Sequence, residues 1–278
     1  MKAKKAAQIS KGWKHILLLG CDSRKPGGYE RSDSMIVLSL GQRGEVRLTS
    51  NMRDIWVDLP GHGEGRINAA TTYGGAELAM RIVSRYFDLQ IDKYVMVNIK
   101  SMVNIIDLLG GIDLEITELE RLYLNTCTAR TQWESQSGRV IPPLEHSGLV
   151  HLCGDQAVEH TRNRFDGGGD YARTARQRQV LKAIAKKIRT KKNPLWLLGM
   201  ARRGRKWVQT NLNPLEVGRI ALLALRQDPN AIGCFRIPAE GTYTINDAGS
   251  WHFETDFEKN RQLLQEFLKN GRSSDEMQ

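Results

Sequence analysis

One stretch of the chain concentrates arginines around a single aspartate. Its members are Arg162, Arg164, Asp170, Arg173, Arg176 and Gln177. Guanidinium groups bind phosphate oxygens through paired hydrogen bonds, which lysine ammonium groups cannot form. Arg173, Arg176 and Gln177 are three and four residues apart, so they share one face of a predicted helix. That face continues into apolar side chains, and the pattern therefore predicts a helix anchored in a core that presents arginines to an anion.

The first turns of this helix carry positive side chains close to the positive end of the helix dipole. We predict the helix from near Tyr171 to about Lys191, with Asp170 as its N-cap. The helix N-terminus is partly positive, so arginines in the first turns repel it unless an anion is bound. A nucleic-acid surface or an ordinary solvated basic face are the alternatives. The lysines further along this region are expected to be solvated or to touch an acidic surface; they are Lys182, Lys186, Lys187, Lys191 and Lys192.

Two aspartates lie where neighbouring predicted strands end and begin. Asp22 follows the strand predicted over 15–19, and Asp33 precedes the strand predicted over 34–40. Folds that mix helices with a sheet place ligands at strand ends, so both carboxylates can converge at one edge. Two carboxylates with water and substrate phosphates suit Mg²⁺, for which Mn²⁺ could substitute. Either aspartate alone could simply cap a turn.

Arg53 and Asp54 directly follow a third predicted strand, 46–50. Such a dipeptide can be no more than a surface ion pair, which contributes little to stability. The sequence contains no P-loop, dinucleotide-binding glycine motif, zinc-protease motif or nucleophile elbow. No C-x-x-C spacing is present either, and a metal cluster of Cys153 with His151 and His160 fits no common zinc pattern.

The charge composition of the chain limits the classes of molecule that it can bind. The chain has 278 residues and a formal net charge of +10, from 41 Lys and Arg against 31 Asp and Glu. This excess attracts polyanions, among them nucleic acid, anionic lipid headgroups, phosphate esters and acidic wall polymers. No recognition helix or stacking aromatic array accompanies the arginines, so we expect no nucleic-acid partner. No apolar run approaches the roughly 18 residues that a membrane-spanning helix needs.

Strands and helices alternate along the chain, which predicts an α/β (mixed α+β) class with a twisted mixed central sheet and helices on both faces. Further strands are predicted at 92–99, 112–116, 235–237 and 241–245. Helices are predicted at 68–89, 100–109 and 154–162, after Asn193-Pro194, after Asn213-Pro214, and at 253–268. Residues 118–150 are predicted to be a long irregular excursion. Cys127 and Cys153 bracket its second half and could form a disulfide in an oxidising compartment or remain thiols.

Six motifs in this order resemble the LytR-CpsA-Psr family of cell-envelope proteins. The motifs are ILLLGCDSR (16–24), RSDSMIVLSL (31–40), LTSNMRDIWVDLPG (48–61), RINAATTYGGAELA (66–79), LLGGIDLEI (108–116) and GDQAVEHTRNRFDGGGDYARTARQRQVL (154–181). Any one of them would be weak evidence. Together they extend over most of the chain, and the fold known for the family is similar to the one predicted above.

The resemblance implies a phosphotransferase that moves a glycopolymer from a polyprenyl-pyrophosphate carrier to peptidoglycan or another surface acceptor, with pyrophosphatase activity when water attacks. It implies that Asp22 and Asp33 hold Mg²⁺ and that Asp170 orients arginines or the metal shell. The catalytic residues would be Arg31, Arg53, Arg164 and Asp170. The residues around the pyrophosphate would be Arg31, Arg53, Arg162, Arg164, Arg173, Arg176 and Gln177. The lipid tail would occupy an apolar tunnel. A non-catalytic lipid-phosphate-binding regulator is the alternative.

The resemblance also bears on location. Family members are anchored in the cell membrane with the catalytic domain on the extracellular face, which predicts that residues 1–13 are a basic leader left after loss of an anchor and that 14–278 form one catalytic domain. Cys21 departs from the aliphatic residue usual in the family, and His160-Thr161 replaces the usual Tyr-Ala. Neither departure removes a charged group.

Overall fold

The computed structural model describes residues 12–22, 30–135, 140–164, 169–191 and 193–271. The chain divides into two compact units. The sheet unit comprises residues 1–98, 208–216 and 231–278, and the helical unit comprises 99–207 and 217–230. Within the described residues, no helix is long and apolar enough to cross a membrane. The single domain predicted over 14–278 stays a prediction, and residues 1–11 of the predicted leader lie outside the described ranges.

The strands and helices follow in chain order. The strands are β1 (Trp13–Cys21), β2 (Ser32–Gly41), β3 (Val46–Asn51), β4 (Trp56–Leu59), β5 (Gly63–Arg66), β6 (Ile91–Asn98), β7 (Ile112–Ile116), β8 (Gly148–Leu152), β9 (Gln209–Thr210), β10 (Gly233–Ile237), β11 (Tyr243–Asn246) and β12 (His252–Thr255). The α-helices are α1 (Ala70–Phe87), α2 (Ile99–Leu108), α3 (Glu118–Ser135), α4 (Gly154–Arg162), α5 (Gly169–Lys191), α6 (Pro194–Gly204), α7 (Pro214–Arg226) and α8 (Phe257–Asn270).

A six-stranded mixed sheet forms the centre of the sheet unit, in the order β10-β3-β2-β1-β6-β9. β1, β2 and β3 are antiparallel neighbours, whereas β6 runs parallel to β1 and β10 runs parallel to β3. The apolar runs in β1 and β2 are buried, with Leu17 and Ile36 almost fully covered. The strands predicted over 34–40 and 46–50 are present as β2 and β3, and the mixed α/β class is confirmed.

Two short hairpins complete the sheet unit, and of their four strands the sequence prediction contained one, the strand at 241–245 that corresponds to β11. The hairpins are β4 with β5 and β11 with β12. The final helix was predicted to begin at Phe253, but Phe253 is buried in β12 and α8 begins at Phe257. The side chain of Asp256 accepts a hydrogen bond from the Lys259 amide, which makes Asp256 the N-cap. The apolar periodicity continued through this boundary, so only the capping residue marked it.

The helix predicted over 68–89 is interrupted. Gly74 and Gly75 have non-helical backbone angles inside α1, and Gly75 has φ of 61°. A left-handed φ carries a steric cost for residues with a Cβ, which explains glycine at this break. The C-cap residue of α1, Asp88, is also left-handed, with φ of 51°. The predicted helix is therefore two helical pieces joined at a kink.

The helical unit corrects the prediction for residues 118–150. This stretch is not an irregular excursion, because it contains the long helix α3 and the strand β8, which pairs antiparallel with β7. The prediction gave too much weight to the polar residues and to Pro142-Pro143, which follow the helix. It overlooked the Thr117-x-x-Glu120 pattern, a capping box that marks a helix start. Both halves of this box are formed, through the Thr117 hydroxyl and the Glu120 carboxylate.

The core of the helical unit lies beneath α5. Val180 and Ala183 on α5 are buried against Ile112 and Leu152 of the β7–β8 pair and Leu124 of α3. The predicted apolar face of this helix is thus confirmed. All four cysteines lie in the described ranges and none forms a disulfide, so Cys127 and Cys153 are free thiols.

Candidate functional site

In the sheet unit, Asp22, Arg31 and Asp33 lie at the same end of the β1–β2 pair. Cys21 is the strand partner of Ser32, and the Asp22 amide donates to the Arg31 carbonyl oxygen at 3.3 Å. The register is irregular between Gly20 and Cys21, which lets Asp33 bulge from the ladder. The antiparallel pairing of β1 with β2 therefore brings both predicted metal-binding carboxylates to the same end of these two strands.

The thiol beside these carboxylates is protonated at neutral pH. Burial, together with the smaller effect of the negative charges of Asp33 and Glu30, raises the pKa of Cys21 to about 11. Cys21 is therefore a small apolar residue here and not a thiolate ligand. In the described ranges, no group of three or more His, Cys, Asp or Glu side chains is arranged to hold a metal ion.

Arg53 is held by two carboxylates. Its Nη1 lies 2.7 Å from Asp33 Oδ1, and its Nε lies 3.2 Å from Asp54 Oδ2. The Asp54 side chain is only 3 % exposed, and Arg66 Nε lies 3.3 Å from its other oxygen. Asp54 is thus a buried carboxylate between two arginines, and the Arg53-Asp54 dipeptide is more than a surface ion pair. The sequence prediction included neither Asp54 nor Arg66 as a site residue.

The segment around Arg31 is fixed by a buried threonine at the start of α1. The Thr71 hydroxyl accepts a hydrogen bond from the Ser32 amide at 2.9 Å and lies 3.0 Å from the Glu30 carbonyl oxygen. These contacts hold the backbone on both sides of Arg31, whose side chain is exposed. Thr71 belongs to the motif RINAATTYGG. Nothing in the sequence distinguishes this threonine from a threonine that only packs in the core.

In the helical unit, Asp170 lies between two arginines. Arg173 Nη2 donates to Asp170 Oδ2 at 2.7 Å, and Arg164 Nε lies 3.6 Å from Asp170 Oδ1. The Arg173 side chain is 4 % exposed, whereas that of Arg164 is 43 % exposed. Asp170 is not the predicted N-cap, because α5 already begins at Gly169 and Asp170 lies in its first turn. A carboxylate in the first turn still interacts favourably with the helix dipole.

The buried side chain of Arg176 makes hydrogen bonds to two other parts of the helical unit. Its Nε donates to Glu120 Oε1 at 2.7 Å and its Nη1 donates to the Asn163 carbonyl oxygen at 2.9 Å. The backbone of Asn163 ends α4, so this contact ties the end of α4 to α5. Gln177 is also buried. The predicted place of both side chains around a pyrophosphate stays a prediction.

The Glu120 carboxylate makes two structural hydrogen bonds, one to a backbone amide and one to an arginine. One carboxylate oxygen accepts from the Thr117 amide in the capping box, and the other accepts from Arg176. Burial alone would raise the pKa of Glu120, but the hydrogen bonds from Thr117 and Arg176 outweigh it and lower the pKa. Glu120 is therefore ionised at neutral pH. The sequence prediction missed it, although the capping-box spacing pointed to this residue.

His160, one of the departures noted above, is fully buried next to this pair. Burial lowers its pKa, with Arg176 acting in the same direction against Glu120 and Gln179. Because the His160 imidazole is neutral, it does not compete with Arg176 for the charge of Glu120. Arg162, on the same helix α4, is more exposed and its Nη1 lies 3.4 Å from Glu159 Oε1. Arg162 and Arg164 are thus the accessible arginines of this stretch.

The comparisons with known proteins now give the family. The profile of the LytR_cpsA_psr family matches residues 1–269. The chain belongs to the LytR-CpsA-Psr family. It is 35 % identical over 178 residues to the polyisoprenyl-teichoic acid–peptidoglycan teichoic acid transferase TagU of Enterococcus faecalis. That match covers 62 % of this chain and 53 % of TagU, so the chain spans about half the length of the curated relatives it matches.

Solved structures share the fold. The crystal structure of Bacillus subtilis TagV superposes with a TM-score of 0.72 at 25 % identity and covers 93 % of this chain and 98 % of TagV. YwtF (TagT) of the same organism was solved with bound octaprenyl pyrophosphate lipid. It superposes with a TM-score of 0.66 at 21 % identity, covering 94 % of this chain and 91 % of its own.

Proposed function

We propose that this protein transfers a glycopolymer from a polyprenyl-pyrophosphate carrier to peptidoglycan or another acceptor outside the cell membrane. Membership of the family supports this, as does the likeness to a named teichoic acid transferase. The structure of YwtF with octaprenyl pyrophosphate supports the lipid carrier as the substrate class. An apolar tunnel for the lipid tail and a membrane anchor belong to the same proposal.

The observation that carries the proposal is the Arg164–Asp170–Arg173 cluster. Two guanidinium groups share one carboxylate, so the cluster keeps an excess positive charge. Arg173 is buried and fixed, and it positions Asp170, which in turn holds the half-exposed Arg164. A guanidinium oriented before the substrate arrives stabilises charge on a phosphate without reorganising during the reaction.

Asp22 and Asp33 fit a magnesium site only together with substrate. Two carboxylates make an incomplete ligand set, and Mg²⁺ in proteins usually completes its shell with waters and substrate phosphate oxygens. The ion pair from Arg53 to Asp33 opposes a divalent cation in the absence of that additional negative charge. When bound, Mg²⁺ would neutralise charge on the leaving phosphate.

The reaction is a displacement at the glycan-linked phosphorus. An acceptor hydroxyl attacks this phosphorus, the bond to the bridging oxygen breaks, and polyprenyl phosphate leaves. The proton of the hydroxyl passes to a carboxylate, Asp22 or Asp33. The family resemblance assigns Arg31, Arg53 and Arg164 to the phosphate oxygens, where guanidinium groups stabilise the charge that develops on a leaving phosphate. Water in place of the acceptor gives hydrolysis of the pyrophosphate.

The test uses the chain with a polyprenyl-pyrophosphate-linked oligosaccharide and peptidoglycan as acceptor. We expect Arg164→Ala and Asp33→Ala each to reduce transfer by about 10²–10³-fold, because each removes a charge that acts in the transition state. Arg85→Ala is the matched control, since Arg85 is an exposed arginine in a surface pair with Asp58. Its transfer rate should equal that of the unmodified chain.

Full transfer activity in both the Arg164 and the Asp33 variants would contradict the mechanism. A chain that binds the lipid-linked substrate but neither transfers the glycan nor releases phosphate would be the lipid-phosphate-binding regulator instead. The two outcomes are separated by measuring substrate binding and product formation on the same samples.

A further inference from the structure

The helical unit carries a long stretch without negative charge. No Asp or Glu occurs between Tyr171 and Leu215. Within this stretch, the end of α5 with α6 and the 3-10 turn Arg205–Trp207 exposes many basic side chains. They are Lys186, Arg189, Lys191, Arg202, Arg203, Arg205 and Lys206. None of them belongs to the arginine cluster around Asp170.

The same region exposes two large apolar side chains on α6. Leu195 is 80 % exposed and Leu198 is 68 % exposed. Leu195, Leu198 and Arg202 are three and four residues apart, so they form one outward stripe that is apolar at its start and basic at its end. Leu197 on the opposite side of α6 is buried, so the inner face already has its partners. The outward leucines are therefore not the core-facing side of this helix.

The start of α6 is firmly built. The Asn193 side chain accepts hydrogen bonds from the Leu195 and Trp196 amides, at 2.9 and 3.1 Å. Pro194 follows at the first helical position, which fixes the backbone angle there. The two leucines are thus held outward by a capped helix, and their exposure is not the result of a frayed end.

We propose that this surface, Leu195 and Leu198 with the basic side chains from Lys186 to Lys206, docks onto an anionic phospholipid bilayer. A helix with basic residues beside exposed leucines lies in the plane of the bilayer interface, with its apolar stripe at the boundary of headgroups and acyl chains. Lysines and arginines near such a surface bind the lipid phosphates. The inference goes beyond the proposed transfer activity and does not depend on it.

The leucines distinguish a bilayer from other polyanions. Nucleic acid and acidic wall polymers attract the basic side chains equally well, but they offer no apolar layer for Leu195 and Leu198. Two lysines lie over indole rings in the same region, Lys191 over Trp196 at 5.8 Å and Lys206 over Trp207 at 4.8 Å. Amphipathic side chains of these types are common at membrane interfaces.

The experiment measures sedimentation of the chain with vesicles of phosphatidylglycerol mixed equally with phosphatidylcholine, and with vesicles of phosphatidylcholine alone. We expect salt-sensitive binding to the anionic vesicles and little binding to the neutral ones. The double variant Leu195→Ser with Leu198→Ser should bind at least roughly tenfold more weakly. Replacing Arg202, Arg203 and Arg205 by Gln should weaken binding by a similar factor.

A matched control is available on α3. Leu119 and Leu122 are also three residues apart and exposed, at 68 % and 50 %, but the arginine beside them, Arg121, is paired with Glu118, so no excess of positive charge accompanies these leucines. Leu119→Ser with Leu122→Ser should leave vesicle binding unchanged. Circular dichroism establishes that each variant is folded.

Three results would overturn the proposal. The first is the absence of binding by the unmodified chain to anionic vesicles. The second is binding by the Leu195 and Leu198 variant that equals that of the unmodified chain, since the surface would then be a general polyanion site. The third is an equal loss of binding in the control on α3.

Discussion

At the residue scale, buried acidic side chains decide how the arginines are held. Glu120 fixes Arg176, and Asp54 lies between Arg53 and Arg66. Residue type and spacing identified the arginines because a guanidinium matches phosphate. They pointed to the Arg53-Asp54 pair, but not to Arg66 as the second partner of Asp54 or to Glu120 as the partner of Arg176, because these two contacts depend on packing. Asp54 lies in the turn after β3 and contacts Arg66 of β5, and Glu120 of α3 contacts Arg176 of α5.

The Arg176–Glu120 pair gives a stability prediction. Glu120→Ala would leave a buried guanidinium without its carboxylate, which costs about 3–5 kcal/mol of unfolding free energy. Glu118→Ala, on the same turn of α3, removes an exposed partner of Arg121 and should cost far less, because solvent screens that pair. Urea unfolding followed by circular dichroism measures both. Equal losses of unfolding free energy in the two variants would show that burial does not make the Arg176–Glu120 pair more important than the exposed pair.

At the element scale, regular apolar patterns and proline starts were reliable. The predicted strands of the central sheet and the helices after Asn193-Pro194 and Asn213-Pro214 are present. The failures have physical reasons. α3 has a weak apolar stripe, and Thr126, Cys127 and Thr128 in its middle disfavour helix on propensity alone. Its helical state is therefore set by the capping box and by burial of Leu124.

β1 and β2 supply a pH prediction. His15 of β1 is buried, and its Nδ1 lies 2.8 Å from the Ser39 hydroxyl of β2. Burial lowers the pKa of His15 from its ordinary 6.5 to about 4. Between these two values the unfolded chain takes up a proton that the folded chain does not, so stability is present above pH 6.5 and falls as the pH falls toward 4.

The expected loss due to His15 between pH 7 and pH 5 is about 2 kcal/mol. His15→Gln keeps a polar group beside Ser39 but cannot titrate, so this variant should lose about that much less over the same interval. His146→Gln replaces an exposed histidine and should follow the unmodified chain. Chemical unfolding at both pH values measures the difference. An identical pH dependence in all three proteins would contradict the assignment.

At the scale of the whole molecule, the sequence predicted the class of fold and which groups carry charge. It could not predict the division into a sheet unit and a helical unit, because the sheet unit is assembled from three separate segments of the chain. Local patterns describe each segment, but they do not state which segments share a core.

Metal dependence is tested on the whole chain by thermal unfolding. We expect Mg²⁺ with inorganic pyrophosphate to raise the Tm more than either alone, because Asp22 and Asp33 form only part of a ligand set. A ligand present at 100 times its Kd contributes about 2.7 kcal/mol to stability. Asp33→Ala should abolish the joint effect, while Asp58→Ala, which removes an exposed carboxylate, should retain it. A joint effect that persists in Asp33→Ala would contradict the metal assignment.

The parallel pairing of β10 with β3 sets the order in which this protein can fold. All of residues 99–207, a large part of the helical unit, is synthesised between these two partners. Until residues 233–237 leave the ribosome, β3 is an outer strand with unpaired backbone groups, which is a site for wrong association with other chains. The closure of so long a loop also slows the formation of the sheet. Completion of the sheet is therefore expected to be a late step of biosynthesis, and β3 is the strand that most needs protection until then.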